Sequence, residues 1–263
     1  MTPLQRHFAA CNNASLPGGR LPFRIGTTQV GWVTPDFARA LADFTGIRIT
    51  ATAATLAEAA AADLPAIACG LAARGLYRWR GEAFDVRPTP GGPVLSQIDR
   101  GALPSFGILA EGVHVNGLVH RPDGLYLWVA QRAANKTLDP GKLDHIVAGG
   151  IPAGLTPMQT LLKEAEEEAN IPETLASQAQ PTGTISYAMQ RPEGLRRDTL
   201  HCYDLILPES FIPQPTDGEV DNFTLWPIAK ALQAVRDTDN FKFNVNLVLI
   251  DLFRRLGVPG AAA

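Results

Sequence analysis

Apolar and polar positions follow different periods in the two parts of this chain, and the change falls near residue 90. Upstream, residues 36–44 and 54–62 are built from strong helix formers and are predicted helical. Residues 82–87 alternate apolar with charged side chains, the two-residue period of a half-buried strand. The run Pro88-Thr89-Pro90-Gly91-Gly92-Pro93 interrupts regular structure, and a linker is expected from there to about Pro104. Downstream, 113–120 and 125–131 read as strands around a Pro122-Asp123-Gly124 turn, a predicted hairpin. Residues 183–189, 199–207 and 222–226 read as further strands, and 227–235 and 245–255 as helices. The expected organisation is a small N-terminal α+β domain over residues 1–104, followed by an α/β domain over 105–263.

The strongest helical signal is the stretch TPMQTLLKEAEEEANI, residues 156–171. Thr156 is a good N-cap, Pro157 suits the first helical position, and Gln159 completes a capping box. Asn170 tolerates the left-handed conformation that ends helices, and Pro172 prevents continuation. A helix over 157–169 is therefore specified at both ends. Met158, Leu161, Leu162, Ala165 and Ala169 fall within about 100° of arc and form the predicted buried stripe. Glu164, Glu167 and Glu168 share a different arc at spacing i, i+3, i+4. Neighbouring like charges destabilise a helix, and these sit at its C-terminal end, the wrong end for its dipole. Two broken local rules in one turn point to a functional site, and a divalent cation would remove the conflict.

Composition narrows the function classes. Hydrophobic residues make up 46% and charged residues 19%, as in ordinary globular proteins. Lys and Arg total 23 against 26 Asp and Glu, so the net charge is -3 and a nucleic-acid partner is not expected. No apolar run reaches membrane-spanning length, so no membrane partner is expected either. The first 35 residues lack acids, yet Pro17-Gly18-Gly19 breaks any amphipathic helix there, and this region is read as part of the mature fold. Cys11, Cys69 and Cys202 are odd in number and widely spaced, which points to a reducing, cytoplasmic setting.

Extending the acidic helix upstream gives GGIPAGLTPMQTLLKEAEEEANI, residues 149–171. It resembles the Nudix box, G-x5-E-x7-R-E-U-x-E-E-x-G-U with U aliphatic. Gly149, Glu164, Glu167, Glu168 and Ile171 match, and Ala165 is a small apolar residue at a U position. Leu155, Lys163 and Asn170 replace the first glutamate, the arginine and the late glycine. In the family the first glutamate supports the loop-helix geometry. Lys163 keeps the charge of the arginine it replaces but loses the bidentate fork. The similarity extends over roughly 107–257 and includes Asp217-Gly218-Glu219-Val220.

The resemblance implies an α/β/α sandwich with a mixed sheet in the second domain. It implies a pyrophosphohydrolase that uses Mg2+, or Mn2+, to cleave a small-molecule diphosphate. Glu164, Glu167 and Glu168 would bind metal, and Glu219 would be a further ligand or the general base. Phosphate needs cations, and Arg132, Lys136, Arg196 and Arg197 are the candidates. Strand alternation allows only one of Arg196 and Arg197 onto the site face. Gly149 and Gly150 would let the loop backbone approach closely. The GGIPAG form of residues 149–154, the KEAEEEA variant of residues 163–169 and the extra N-terminal domain together resemble the subfamily related to the Nudix part fused to thiamine pyrophosphokinase in fungi, which implies thiamine diphosphate or its oxidised analogues as substrate, released as the monophosphate. An aromatic of the N-terminal domain could then cover the substrate ring.

Two alternatives remain at this stage. Leu155 and Lys163 would suit a non-catalytic diphosphate sensor. An isopentenyl diphosphate isomerase shares the architecture but would want a cysteine soon after Asp144, where His145-Ile146-Val147-Ala148 stands. A homodimer is compatible with the sequence. The histidines show no metal-ligand spacing and read as structural or solvated.

Overall fold

The computed structural model describes residues 2–135 and 138–261. After helix α1 (Gln5–Cys11), the chain builds a four-stranded sheet from β1 (Leu21–Ile25), β2 (Thr28–Val33), β3 (Ile47–Ile49) and β4 (Ala54–Leu56). Its order is β2-β1-β4-β3, with β1 and β4 parallel and the outer pairs antiparallel. Helix α2 (Pro35–Leu41) and helix α3 (Leu64–Ala73) pack with it, and β5 (Ala83–Val86) and β6 (Ser96–Asp99) form a separate hairpin. Helix α4 (Leu103–Phe106) leads into the second half.

Two expectations change here. Residues 54–62 are not one helix: 54–56 form strand β4 and Glu58–Asp63 a 3-10 turn. Ala54 and Leu56 are fully buried with Thr55 between them, so pairing with β1 and β3 overrides alanine's helix preference. Residues 94–104 are not a bare linker, since they carry β6 and the start of α4. Residues 87–95 form the connecting loop between β5 and β6.

The second half centres on β7 (Leu109–Arg121) and β8 (Gly124–Arg132), which pair as the expected hairpin around 122–123. The sheet continues with β9 (Leu143–Asp144), β10 (Val147–Gly150), β11 (Gln180–Arg191), β12 (Gly194–Ile206) and β13 (Val220–Pro227). The main order is β11-β12-β7-β8-β13; β10 pairs with β7 and β9 with β8. Only β12 and β7 are parallel, so the sheet is mixed, as expected. Helix α5 (Pro157–Ala169) lies on one face, followed by the short helix α6 (Glu173–Ala176). Helices α7 (Ile228–Asp237) and α8 (Val245–Arg255) cover the other face, where Leu118, Leu127 and Val129 pack against Leu249 and Phe253. This is the α/β/α arrangement.

The halves share packing. Leu4 of the N-terminal segment joins the core under α7 and α8, and Cys11 of α1 packs with Leu247 and Tyr187. Gly107 adopts φ 55°, and a Cβ there would lie 2.5 Å from the Trp32 carbonyl oxygen, so only glycine allows this junction between β2 and α4. The three cysteines are free, with Cys11 and Cys202 buried.

A buried polar seam runs beneath the sheet. Arg132 Nη1 and Lys242 Nζ both donate to Asp144 Oδ2, at 2.7 and 3.2 Å. Burial opposes ionisation of Asp144, but these two cations outweigh it and hold the carboxyl well below its usual range. His114 Nδ1 and His145 Nδ1 lie 2.9 Å apart, so one donates and the other accepts. The sequence showed no such pair because the two are 31 residues apart and meet only through tertiary folding.

Burial pushes both imidazoles down, His145 to about 4. They are neutral in the fold and titrate near 6.5 when unfolded. The unfolded chain therefore takes up more protons as pH falls, so this contribution is complete above about 6.5 and is lost from there toward 4. Thermal melts should show a lower Tm at pH 5.5 than at 7.5, about 2–4 °C for each kcal/mol lost. His145→Gln should flatten that slope. An unchanged slope would show that the pair does not carry the acid sensitivity.

Candidate functional site

Helix α5 is held at both ends as its sequence predicts. Thr156 Oγ1 accepts from the Gln159 backbone N–H at 3.2 Å, and Gln159 Oε1 accepts from the Thr156 N–H at 3.0 Å. Asn170 closes the helix at φ 52°. Leu161, Ala165 and Ala169 are buried against Val113, Val115 and Val147, with Met158 and Leu162 at the margin. Seating this stripe turns the acidic arc toward β10.

Glu168 Oε2 accepts the Ala148 backbone N–H at 2.9 Å, and the residue is only 7% exposed. Burial pushes its carboxyl well above the usual range; the Ala148 bond opposes this, and the charges of Glu164, Asp144 and Glu219 add to it. Glu164 lies over Gly149, where a Cβ would come within 2.6 Å of the carboxyl carbon. A larger residue at 149 would force the Glu164 side chain to move, while the role of Gly149 toward phosphate is a separate matter. Burial also raises Glu164, against the opposing Lys163 and with the help of Glu167 and Glu219. Lys163 Nζ bonds Glu164 Oε1 at 3.2 Å and also reaches Glu167 Oε2. Glu167 itself is exposed.

Glu219 is brought to this face by a loop tied to the end of α5. Gln214 N–H donates to the Ala169 carbonyl at 3.1 Å, and Thr216 Oγ1 donates to the Glu167 carbonyl. Asp217 Oδ1 then accepts the Glu219 N–H at 2.8 Å. The charge of Glu219 is felt by both Glu164 and Glu168, so these acids from two distant segments share one site.

The other sequence candidates divide. Lys136 lies outside the described residues. Arg132 is buried, with Nη1 on Asp144, Nε on the Asp139 carbonyl and Nη2 on the Leu138 carbonyl. Its guanidinium is turned into the interior. Arg196 bonds Asp198 Oδ2 through Nε and Nη2, on the sheet face opposite α5. Arg197 stands on the α5 face and gives Nη1 to the Gly107 carbonyl at 3.2 Å. Gly150 is occupied from above: a Cβ there would lie 2.7 Å from Phe84 of β5. Phe84 is buried in the N-terminal core, so it packs on the loop rather than presenting a stacking platform.

Sequence reading missed the support of the loop 151–155. Leu155 supplies no carboxylate, yet the loop is anchored by the N-terminal half. Ala153 N–H donates to the Ala83 carbonyl at 2.8 Å, and Gly154 N–H donates to Asp85 Oδ2 at 3.2 Å. Ile151 N–H bonds the Glu111 carbonyl at 2.9 Å. Asp85 sat visibly in the alternating strand, but nothing in its spacing linked it to residue 154.

The donor set suits a hard divalent cation. Glu164, Glu167, Glu168 and Glu219 offer only carboxylate oxygens; Glu168 is buried without a counter-charge, and half-buried Glu164 has only Lys163. His114, Asp144 and His145 also offer three ligand atoms within 4.8 Å of one another. That cluster fits a cation poorly, because Asp144 already bonds Arg132 and Lys242. Among the described residues no helix is long and apolar enough to cross a membrane.

Residues 4–110 match the family described as "Domain of unknown function (DUF4743)". Nudix hydrolase 24, chloroplastic, of Arabidopsis thaliana is 44% identical over 179 residues, covering 68% of this chain and 49% of that protein. Uncharacterized protein YJR142W of Saccharomyces cerevisiae is 33% identical over 199 residues, 70% of this chain and 57% of its own length. The chain thus spans about half the length of the relatives it matches. Among solved structures, DR0079 from Deinococcus radiodurans aligns with a TM-score of 0.47 at 20% identity, over 66% of this chain and 98% of that one. The NUDIX domain of Shewanella oneidensis NrtR, complexed with ADP ribose, aligns at 0.45 and 17% identity, over 58% and 91%. Residues 111–246, more than half of the chain and the segment carrying the acidic helix and its glycine strand, match the NUDIX domain family, and the chain belongs to that family.

Proposed function

We propose that the chain hydrolyses the diphosphate linkage of a small organic diphosphate, using a divalent cation held by Glu164, Glu167 and Glu168. The observation that carries this reading is the placement of buried Glu168 on the Ala148 N–H and half-buried Glu164 against Gly149, with the charge of Glu219 reaching both. Mg2+, with Mn2+ as substitute, would neutralise charge on the phosphate oxygens and lower the pKa of bound water. Glu219, on a loop beside the helix, is the further ligand or the base that takes the proton of the attacking water. Ala148 N–H holds Glu168 in a fixed orientation, and Asp85 with Ala83 holds the loop that approaches the phosphates. Arg197 is the cation on the α5 face of the sheet, and Arg132 serves the interior through Asp144 of β9, just before the strand that holds Glu168.

Thiamine diphosphate and its oxidised analogues are the substrates we favour, on the resemblance of the variant box at residues 149–154 and 163–169 together with the extra N-terminal domain. The free thiols fit a reducing compartment, of which the cytoplasm is one. The sensor reading draws on one contact: Lys163 already partly neutralises Glu164 and Glu167. It predicts diphosphate binding without metal-dependent phosphate release.

Phosphate release from thiamine diphosphate, its oxidised analogues, ADP-ribose and nucleotides, with a phosphatase added to reveal monoesters, should depend on Mg2+. Glu168→Gln should lower kcat by about 100-fold or more. Metal-independent behaviour, or full activity in the variant, would remove the reading. Asp85→Ala frees one side of the loop 151–155 and should lower kcat/KM about tenfold, the scale of one hydrogen bond to a charged group. Unaltered kinetics there would show that the N-terminal half does not position the loop.

A further inference from the structure

The sheet face covered by α5 continues beyond the helix as an open cleft of about 380 Å³. Its floor includes Leu109, Ser186, Ala188 and Thr199, and its roof is Pro88, Thr89 and Pro90 of the β5–β6 loop. Strand register puts the floor on the α5 side. Arg197 pairs with Leu109 and with Ala188, and Thr199 pairs with Glu111 and with Ser186. With a period of two, these positions share the face of Val113 and Tyr203, which pack with Leu161 and Ala165. Val113 pairs with Gly149 and lies four residues beyond Leu109, so the cleft begins about 13 Å along the strand from the acidic site.

The ground between is polar and tied to the roof. His201 Nε2 lies 2.7 Å from Glu111 Oε2, and Gly91 N–H donates to Glu111 Oε1 at 3.3 Å. One carboxylate therefore joins the catalytic sheet to the loop of the N-terminal half. Within the cleft, Ser186 Oγ and Thr199 Oγ1 are 2.8 Å apart and can each turn to a ligand. Two prolines above and Leu109 and Ala188 below offer flat apolar walls, while Arg197 brings guanidinium donors to one end. The volume lies within the roughly 300–1,000 Å³ of small-molecule sites, which combine apolar walls with a few fixed polar groups.

We propose that this cleft is the recognition subsite for the organic group of the diphosphate, a flat ring carrying hydrogen-bonding groups, held between the proline roof and the strand floor. The N-terminal half then selects the substrate. The inference rests on the hydrolase reading above, and it deepens it: a ring on a short linker would span the distance from the cleft to the acidic helix.

The test uses the full chain with Mg2+ and two probes, thiamine diphosphate and ADP-ribose. Ala188→Leu fills the floor, and Thr89→Tyr fills the roof from an exposed loop that tolerates bulk. For the better probe, KM should rise about tenfold while kcat stays within about threefold, the pattern of lost binding common to ground and transition states. Unchanged KM in the variants that fold by circular dichroism would overturn the proposal. Independently, thiamine monophosphate and AMP without metal should slow hydrogen exchange in residues 87–92 and 184–190 of the wild type. Slowing confined to α5, or none, would overturn it. If the wild type hydrolyses neither probe, the hydrolase reading fails, and exchange alone decides for or against the subsite.

Discussion

Burial of carboxylates on one turn of α5 against β10 is the constraint on which the rest of this site depends. Glu168 gives up water for a single backbone N–H, and Glu164 is pressed onto a residue that has room only because it is glycine. Burial of an acid without a full counter-charge favours its protonated form, and Glu219 sharpens the conflict. The helix accepts this because its apolar stripe and its two caps hold it regardless of what the acids prefer. Packing thus supplies the stability that the acidic face withdraws.

The same sheet carries a second buried acid that is treated in the opposite way. Asp144, close enough for its charge to reach Glu168, is matched by Arg132 and Lys242 and is kept ionised. Two acids of similar burial are thus shifted in opposite directions, because cations stand beside one and not the other. This contrast explains why Arg132 serves the interior.

The N-terminal half is part of the site's construction. Its β5 strand anchors the loop 151–155 through Ala83 and Asp85, its Phe84 packs on Gly150, and its α1 packs under the opposite face with α8. Leu155 offers this loop no carboxylate, and β5 supplies its anchoring contacts. The missing charge and the added domain are in this sense one arrangement.

The acidic helix was legible in the sequence, because capping and periodicity are local. Thr156, Gln159 and Asn170 specify its ends, and the spacing of Glu164, Glu167 and Glu168 puts them on one face whatever surrounds them. The hairpin of β7 and β8 was legible for the same reason. Residues 54–56 were misread because alanine's local preference yields to strand pairing with distant segments. The destinations of Arg132 and Arg196, the meeting of His114 with His145, and the support of the loop by Asp85 were decided by tertiary structure alone. Each depends on which groups arrive from remote parts of the chain, and on how burial then weights their charges, neither of which a linear pattern encodes.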